Sequence, residues 1–172
     1  MLVTVVSRHR HSATRLSTYL NVHQNRLEQL LRGGFLISAD DLQIEAGDGC
    51  ILIEGLLHCQ GGIIVDVSKR IVFLEDEEDP LVQTVDYSYC VTLRNVGVIC
   101  RYDSPHKDHQ QDHHVHRYDV LDGDRDGKVE PIYEEDERPL LAEVVEEAAE
   151  WFFKNLARLQ RDGLVSPGFP DS

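Results

Sequence analysis

The stretch IIVDVSKRIVF, residues 63–73, decides the fold of this chain. Successive side chains of a β-strand point to opposite faces of a sheet. The odd positions of this stretch form an apolar face and the even positions include polar residues. The apolar face carries Ile63, Val65, Val67, Ile71 and Phe73, and the polar face carries Asp66, Ser68 and Arg70. This alternation predicts a strand with one buried face. Gln60-Gly61-Gly62 joins it to an earlier apolar run, residues 50–58, which predicts a β-hairpin.

Four further strand-like segments follow the hairpin. They span residues 83–93, 96–103, 113–120 and 128–133. Because short turns join antiparallel neighbours, the pattern predicts an antiparallel meander sheet of about five to six strands. The turn at residues 122–127 imitates the start of a calcium-binding EF-hand loop. Tyr133 stands where that loop needs a bidentate glutamate, so we expect a hairpin turn there.

Two amphipathic helices flank the strands. Leucines recur at helical spacing over residues 12–32, and Gly33-Gly34 ends the pattern. The second helix begins after Pro139, carries an apolar stripe and ends near Gly163. The sequence therefore predicts an α+β fold, in which the C-terminal amphipathic helix packs on one face of the sheet and an N-terminal helix precedes it.

We expect three regions along the 172 residues. They are an N-terminal helical segment over residues 1–45, an α+β domain over residues 46–163 and a flexible tail over residues 164–172. A chain of this length buries a sizeable core without disulfides. The N-terminal helix packs either on its own domain or on a second subunit, so a homodimer stays open.

The chain is strongly acidic. Its 31 acidic and 17 basic side chains give a net charge of −14. Generic attraction to a nucleic-acid backbone depends on an excess of Lys and Arg, so binding of that kind is excluded without a local basic patch. The charge instead suits solubility or a basic protein partner.

The four cysteines show no C-x-x-C spacing and lie in apolar, strand-like runs. We therefore expect reduced core thiols and a cytoplasmic location. No run approaches the roughly 20 apolar residues that span a bilayer, so we expect no membrane partner.

Histidines concentrate in the middle of the chain, where five of the nine fall between His106 and His116. Histidine transfers protons or binds metals near neutral pH. Alternation places Arg101 and Asp103 on one face of one strand, and His114 and His116 on one face of the next. If these strands are neighbours, both pairs converge at one strand end, and His106 joins them from the following loop.

Such a set suits phosphodiester chemistry. One imidazole takes a proton from an attacking hydroxyl, and a second protonates the leaving oxygen. A guanidinium binds the phosphate and stabilises the developing charge. We expect Arg101 to bind phosphate, and His106 and His116 to transfer protons. We expect Asp103, His114 and Tyr89 to support them.

Two other interpretations of the cluster stay open. His106, His109, His114 and His116, together with several aspartates, offer enough nitrogen and oxygen ligands for zinc or another transition ion, either native or acquired in vitro, although their spacing matches no known metal motif. Alternatively, the histidines are solvated loop residues without chemistry. Our leading expectation needs no cofactor.

Several segments together resemble the TumE family. They are Tyr87-Ser88-Tyr89, Arg101-Tyr102-Asp103-Ser104-Pro105-His106, His113-His114-Val115-His116 and the terminal amphipathic helix, within roughly residues 50–155. TumE proteins are small bacterial and archaeal proteins regarded as toxins of type II toxin–antitoxin modules, usually paired with a helix-turn-helix antitoxin. The chain departs from the family pattern at Cys90, Lys107 and Val115, which removes two imidazoles and one basic group.

The resemblance and the residues together suggest a toxin-like protein that acts on RNA or a nucleotide without a metal, as a ribonuclease-like phosphodiesterase. The resemblance implies a helix-turn-helix antitoxin as partner. One alternative is a non-catalytic interaction module, a degenerate toxin that binds a basic protein. Another is a metal-dependent hydrolase built on the histidine cluster.

Overall fold

The computed structural model describes residues 13–47, 49–107, 113–124, 126–134 and 137–166. These residues form two α-helices and nine β-strands. In chain order they are β1 (Thr14–Arg15), α1 (Leu16–Arg32), β2 (Leu36–Ser38), β3 (Gln43–Gly47), β4 (Cys50–Cys59), β5 (Ile63–Phe73), β6 (Leu81–Leu93), β7 (Gly97–Asp103), β8 (His113–Arg117), β9 (Lys128–Ile132) and α2 (Leu141–Arg161).

The strands form one antiparallel sheet. Its order is β2-β4-β5-β6-β7-β8-β9, with β3 also paired to β4 and β1 to β6. The predicted α+β class and the antiparallel meander are confirmed. The sheet has more strands than the predicted five to six because three short strands, β1, β2 and β3, come from the N-terminal segment and pair with the same sheet.

The stretch that predicted the hairpin lies at the middle of the sheet. β5 pairs with β4 on one side and β6 on the other. Its odd positions are buried from Ile63 to Ile71, as the alternation predicted, and Phe73 at the end of the strand is partly buried. Ile63, Val65 and Ile71 have no solvent exposure. Lys69 shares this face and is 2% exposed, with its Nζ 5.1 Å from the centre of the Tyr19 ring of α1.

Both helices pack on this apolar face. The stripe of α2 is buried, as predicted, through Leu141, Ala142, Val144, Val145, Ala148, Phe152 and Leu159. Phe152 lies on the β4–β5 turn, where Gly61 has a φ of 66° and leaves room for the ring. The C-terminal helix therefore covers one face of the sheet, and the other face carries Arg101, Asp103, His114 and His116 of the predicted site.

The regions beyond the helices are described only in part. Val165, in the predicted tail, is buried, and its backbone N–H donates to the carbonyl of Leu159. Residues 1–12 and 167–172 lie outside the described residues. No helix among the described residues is long and apolar enough to span a bilayer.

Candidate functional site

The pairing of β7 with β8 assembles the site. Arg101 lies opposite His116, and Asp103 lies opposite His114. Tyr102, between the two β7 residues, points the other way and donates its hydroxyl proton to Glu147 of α2. Since adjacent residues of a strand alternate between faces, Arg101, Asp103, His114 and His116 lie on the face away from the helices.

Asp103 is the centre of the contacts on this face. Its side chain is 9% exposed, and one oxygen accepts a hydrogen bond from Arg101 Nε at 2.6 Å. Ser88, opposite Asp103 on β6, donates to the other oxygen at 2.7 Å. The Nε2 atoms of His114 and His116 lie 3.8 and 4.0 Å from Asp103 Oδ2. The carboxylate is therefore held in one orientation with two imidazoles beside it.

The histidines form a row across the face. The ring centroids of His106 and His114 are 5.0 Å apart, and those of His114 and His116 are also 5.0 Å apart. Tyr118 stacks on the far side of His116. His114 is 1% exposed and the His116 side chain is 12% exposed, whereas His106 is more accessible. Among these three described histidines, His106 is the most accessible.

Arg101 is the cation of the site. Its side chain is 39% exposed, so the guanidinium reaches solvent while its Nε is bonded to Asp103. Burial lowers the pKa of Arg101, but the hydrogen bond and the charge of Asp103 outweigh that effect and raise it overall. Arg101 is therefore charged at every physiological pH and is available to an anion.

One of the residues named from the sequence, Tyr89, does not join this group. Tyr89 is fully buried on the opposite, helix-covered face, where it pairs with Tyr102 and stacks on Tyr87. Burial raises the pKa of its hydroxyl well above the ordinary value. His109 lies outside the described residues.

His113 belongs to the other face, as alternation predicted. Its Nδ1 lies 3.0 Å from the hydroxyl oxygen of Tyr87, and the two rings stack. Burial, together with the positive charge of Arg138, lowers the pKa of His113 to about 4. His113 is therefore neutral at pH 7 and is not one of the site histidines.

Ser88 was not among the site residues predicted from the sequence. This residue lies between Tyr87 and Tyr89, so alternation alone puts it on the face opposite those tyrosines. What the pattern does not provide is the β6–β7 register, which sets Ser88 beside Asp103. Ser88 is the residue that fixes the second oxygen of the carboxylate.

Asp103, His106 and His114 form a group with the composition of a metal site. One ligand atom from each residue can be chosen so that all three lie within 4.8 Å of one another. Two imidazoles and one carboxylate bind zinc in hydrolases and ferrous iron in oxygenases. His106 and His114 belong to the histidines considered as ligands from the sequence, and Asp103 is one of the aspartates considered with them.

The comparisons with known proteins give no relatives: no family model, curated protein or solved structure matches the chain. The resemblance to TumE proteins therefore stays a prediction, and the chemistry of the site is argued from its own residues.

Proposed function

We propose that the face formed by Arg101, Asp103, His106, His114 and His116 binds and cleaves a phosphate ester of RNA or of a nucleotide. The observation that supports this most is the convergence of one solvent-reaching guanidinium with three imidazoles around a single carboxylate. A guanidinium matches the geometry of phosphate, and imidazoles transfer protons near pH 7.

In the proposed reaction on RNA, Arg101 binds the non-bridging phosphate oxygens. His106, the accessible imidazole, takes the proton of the 2′-hydroxyl as that oxygen attacks phosphorus. The bond from phosphorus to the 5′-oxygen breaks, and His116 donates a proton to that oxygen. The products are a 2′,3′-cyclic phosphate and a 5′-hydroxyl. Each positioned acid or base contributes about 10²–10⁴-fold to such a rate.

Asp103 and His114 act as positioning residues in this scheme. Both are almost completely buried, so they contact substrate less readily than Arg101 or His106. Asp103 holds the guanidinium by a 2.6 Å hydrogen bond. His114 lies between the rings of His106 and His116, with its centroid 5.0 Å from each, and so fixes the spacing of these two imidazoles.

The biological role that we propose is that of a toxin neutralised by a helix-turn-helix antitoxin. The resemblance to TumE proteins implies this role. The net charge of −14 also supports it, because an acidic surface attracts a basic DNA-binding protein.

The test is cleavage of labelled RNA by the purified, tag-free chain. We expect His106→Ala and His116→Ala each to lower the rate about 10²–10⁴-fold. His58→Ala is the matched control, since His58 also pairs with a carboxylate, Asp41, but on β4, which is separated from β7 by two strands. Intact RNA with the wild-type chain, or equal rates for all four proteins, would overturn the proposal.

A non-catalytic binding module is the second candidate. The near-complete burial of His114 and the negative charge of the chain favour it, because both disfavour contact with RNA. This candidate predicts that the wild-type chain leaves RNA intact and binds a basic helix-turn-helix protein with an affinity that falls as salt rises. If the affinity for that protein were the same at low and high salt, the binding-module candidate would be contradicted.

A further inference from the structure

We infer that Asp103, His106 and His114 form a binding site for a divalent transition-metal ion, for which Zn²⁺ is the best-fitting example. Metal binding does not depend on the proposed function, but a role for the ion in phosphate-ester cleavage rests on it. The inference replaces the expectation that the site works without a metal.

Asp103 and His114 lie at a separation that suits a shared metal ion. His114 Nε2 lies 3.8 Å from Asp103 Oδ2, which is beyond hydrogen-bonding range. Two ligands of one tetrahedral zinc ion, each bonded at 2.0–2.1 Å, lie about 3.4 Å apart. The two side chains are therefore too far apart to bond to each other and close to the separation that a shared ion requires.

His106 supplies the third ligand. All three ligand atoms lie within 4.8 Å of one another, so a movement of about 1 Å closes the set around an ion. His106 follows the end of β7 by three residues and is the most accessible of the three. The two buried ligands are thus fixed by the β7–β8 pairing, and the ligand that has to move is the one outside the strands.

The surroundings hold the carboxylate as a ligand. Ser88 donates a hydrogen bond to Asp103 Oδ1 at 2.7 Å and Arg101 donates to Oδ2 at 2.6 Å. A carboxylate oxygen has two lone pairs, so Oδ2 can accept from Arg101 and still bind an ion. Hydrogen bonds of this kind to ligating groups are typical of metal sites and strengthen them.

Charge favours the ion despite the neighbouring guanidinium. Arg101 and Asp103 neutralise each other locally, while the chain as a whole carries −14. This field concentrates cations at the surface. Three protein ligands with one accessible edge leave coordination positions for water, as in catalytic rather than structural zinc sites. There the ion would polarise a phosphate ester and lower the pKa of bound water, and the resulting hydroxide, rather than the ligating His106, would take the proton of the 2′-hydroxyl.

The test uses the full chain without a histidine tag, titrated with Zn²⁺ by calorimetry and with Co²⁺ by visible absorption. We expect one ion per chain. His106→Ala should weaken metal binding about tenfold or more and remove the Co²⁺ absorption bands. Ser88→Ala should weaken metal binding about tenfold, because it removes only the hydrogen bond that orients the Asp103 carboxylate. His58→Ala should bind like the wild type.

Thermal unfolding without metal shows whether each variant is folded. Binding that is unaffected by His106→Ala, or weakened equally by His58→Ala, would overturn the inference, since it would reflect adventitious binding to histidines elsewhere. RNA cleavage with and without a chelator separates the two proposals. Zn²⁺ binding without RNA cleavage would contradict the proposed function and support the metal site. Cleavage that persists in chelator keeps the function and excludes a role for the ion in it, whereas absence of Zn²⁺ and Co²⁺ binding in the titrations overturns the metal site.

Discussion

Asp103 and His114 lie directly opposite each other on β7 and β8, with the imidazole Nε2 3.8 Å from the carboxylate Oδ2. Both side chains are buried, on the face of the sheet that the helices leave uncovered. Burial of a carboxylate is costly unless it is compensated, and here Arg101 and Ser88 provide the compensation. The stability of the buried carboxylate therefore depends on its contacts with Arg101 and Ser88.

Asp103→Asn tests that compensation. The substitution keeps the shape of the side chain and removes the charge that Arg101 binds. We expect the free energy of unfolding to fall by about 1–3 kcal/mol, measured by urea denaturation. Asp66→Asn is the control, because Asp66 is an exposed carboxylate of β5 on the same face of the sheet as Asp103. Equal stability of the two variants would show that the Arg101 contact contributes nothing.

Lys69 gives the fold a pH-dependent stability. Burial lowers its pKa to about 7, whereas an unfolded lysine titrates near 10.4. Between these values the unfolded chain binds more protons than the folded one, so wild-type stability rises with pH. Relative to Lys69→Met, we expect the wild type to gain on the order of 2 kcal/mol between pH 7 and pH 9.

The measurement is urea unfolding of both proteins at pH 6, 7, 8 and 9. The matched control is Arg70→Met, which removes an exposed cation from the neighbouring position. Its difference from the wild type should not change over this range, because an arginine stays charged throughout. If the stability difference between Lys69→Met and the wild type were also independent of pH, the lowered pKa of the buried lysine would be contradicted.

Gly61→Ala should be the most damaging of the glycine substitutions at the turns. A Cβ on Gly61 falls 2.0 Å from Cε2 of Phe152, and the residue has a φ of 66°. We expect a loss of about 2–4 kcal/mol from the clash and the left-handed backbone together. Gly123→Ala isolates the backbone contribution, since its φ is 78° and nothing lies within 4 Å of the added carbon.

Thermal and urea unfolding compare the two glycine variants. The Gly123→Ala loss should be about 1 kcal/mol. Losses of the same size would mean that Phe152 moves aside without cost and does not anchor α2 on the hairpin.

Glu147→Gln tests how α2 is held on the sheet. The carboxylate accepts hydrogen bonds from the Tyr102 hydroxyl and from Arg117, so it joins the helix to β7 and β8. Because the Arg117 side chain is 42% exposed, we expect a modest loss of about 1 kcal/mol. Glu146→Gln, at the adjacent exposed position of the same helix, should be neutral. A loss shared by both variants would assign the effect to the helix rather than to the contact.

Much of the fold could be predicted from local pattern. The alternation in β5 and the stripe of α2 each reflect a periodicity that a single element imposes on its own residues. The short strands β2 and β3 were not predicted. They have three and five residues, and β3 has every residue exposed, so neither carries an alternation to recognise. Their pairing with β4 depends on that strand being already in place.

In the candidate site too, local pattern predicted which residues of a strand share a face, but not which faces of neighbouring strands meet. The common face of Arg101 and Asp103 followed from parity within one strand, and so did that of His114 and His116. Tyr89 was expected to support them. Its face depends on the β6–β7 register, which sets it opposite Tyr102 rather than Arg101. A shift of one residue in register exchanges the two faces of a strand, and no pattern inside the strand reports it.

The sequence by itself determined which residues of each strand and helix share a face, because backbone geometry repeats every two or every 3.6 residues. Only the tertiary structure decided which faces meet. It set Asp103 against His114, put Ser88 beneath the carboxylate and buried Lys69 under α1. The physical reason is that strand register is chosen by the burial of the whole sheet against its helices, a sum over residues far apart in the chain.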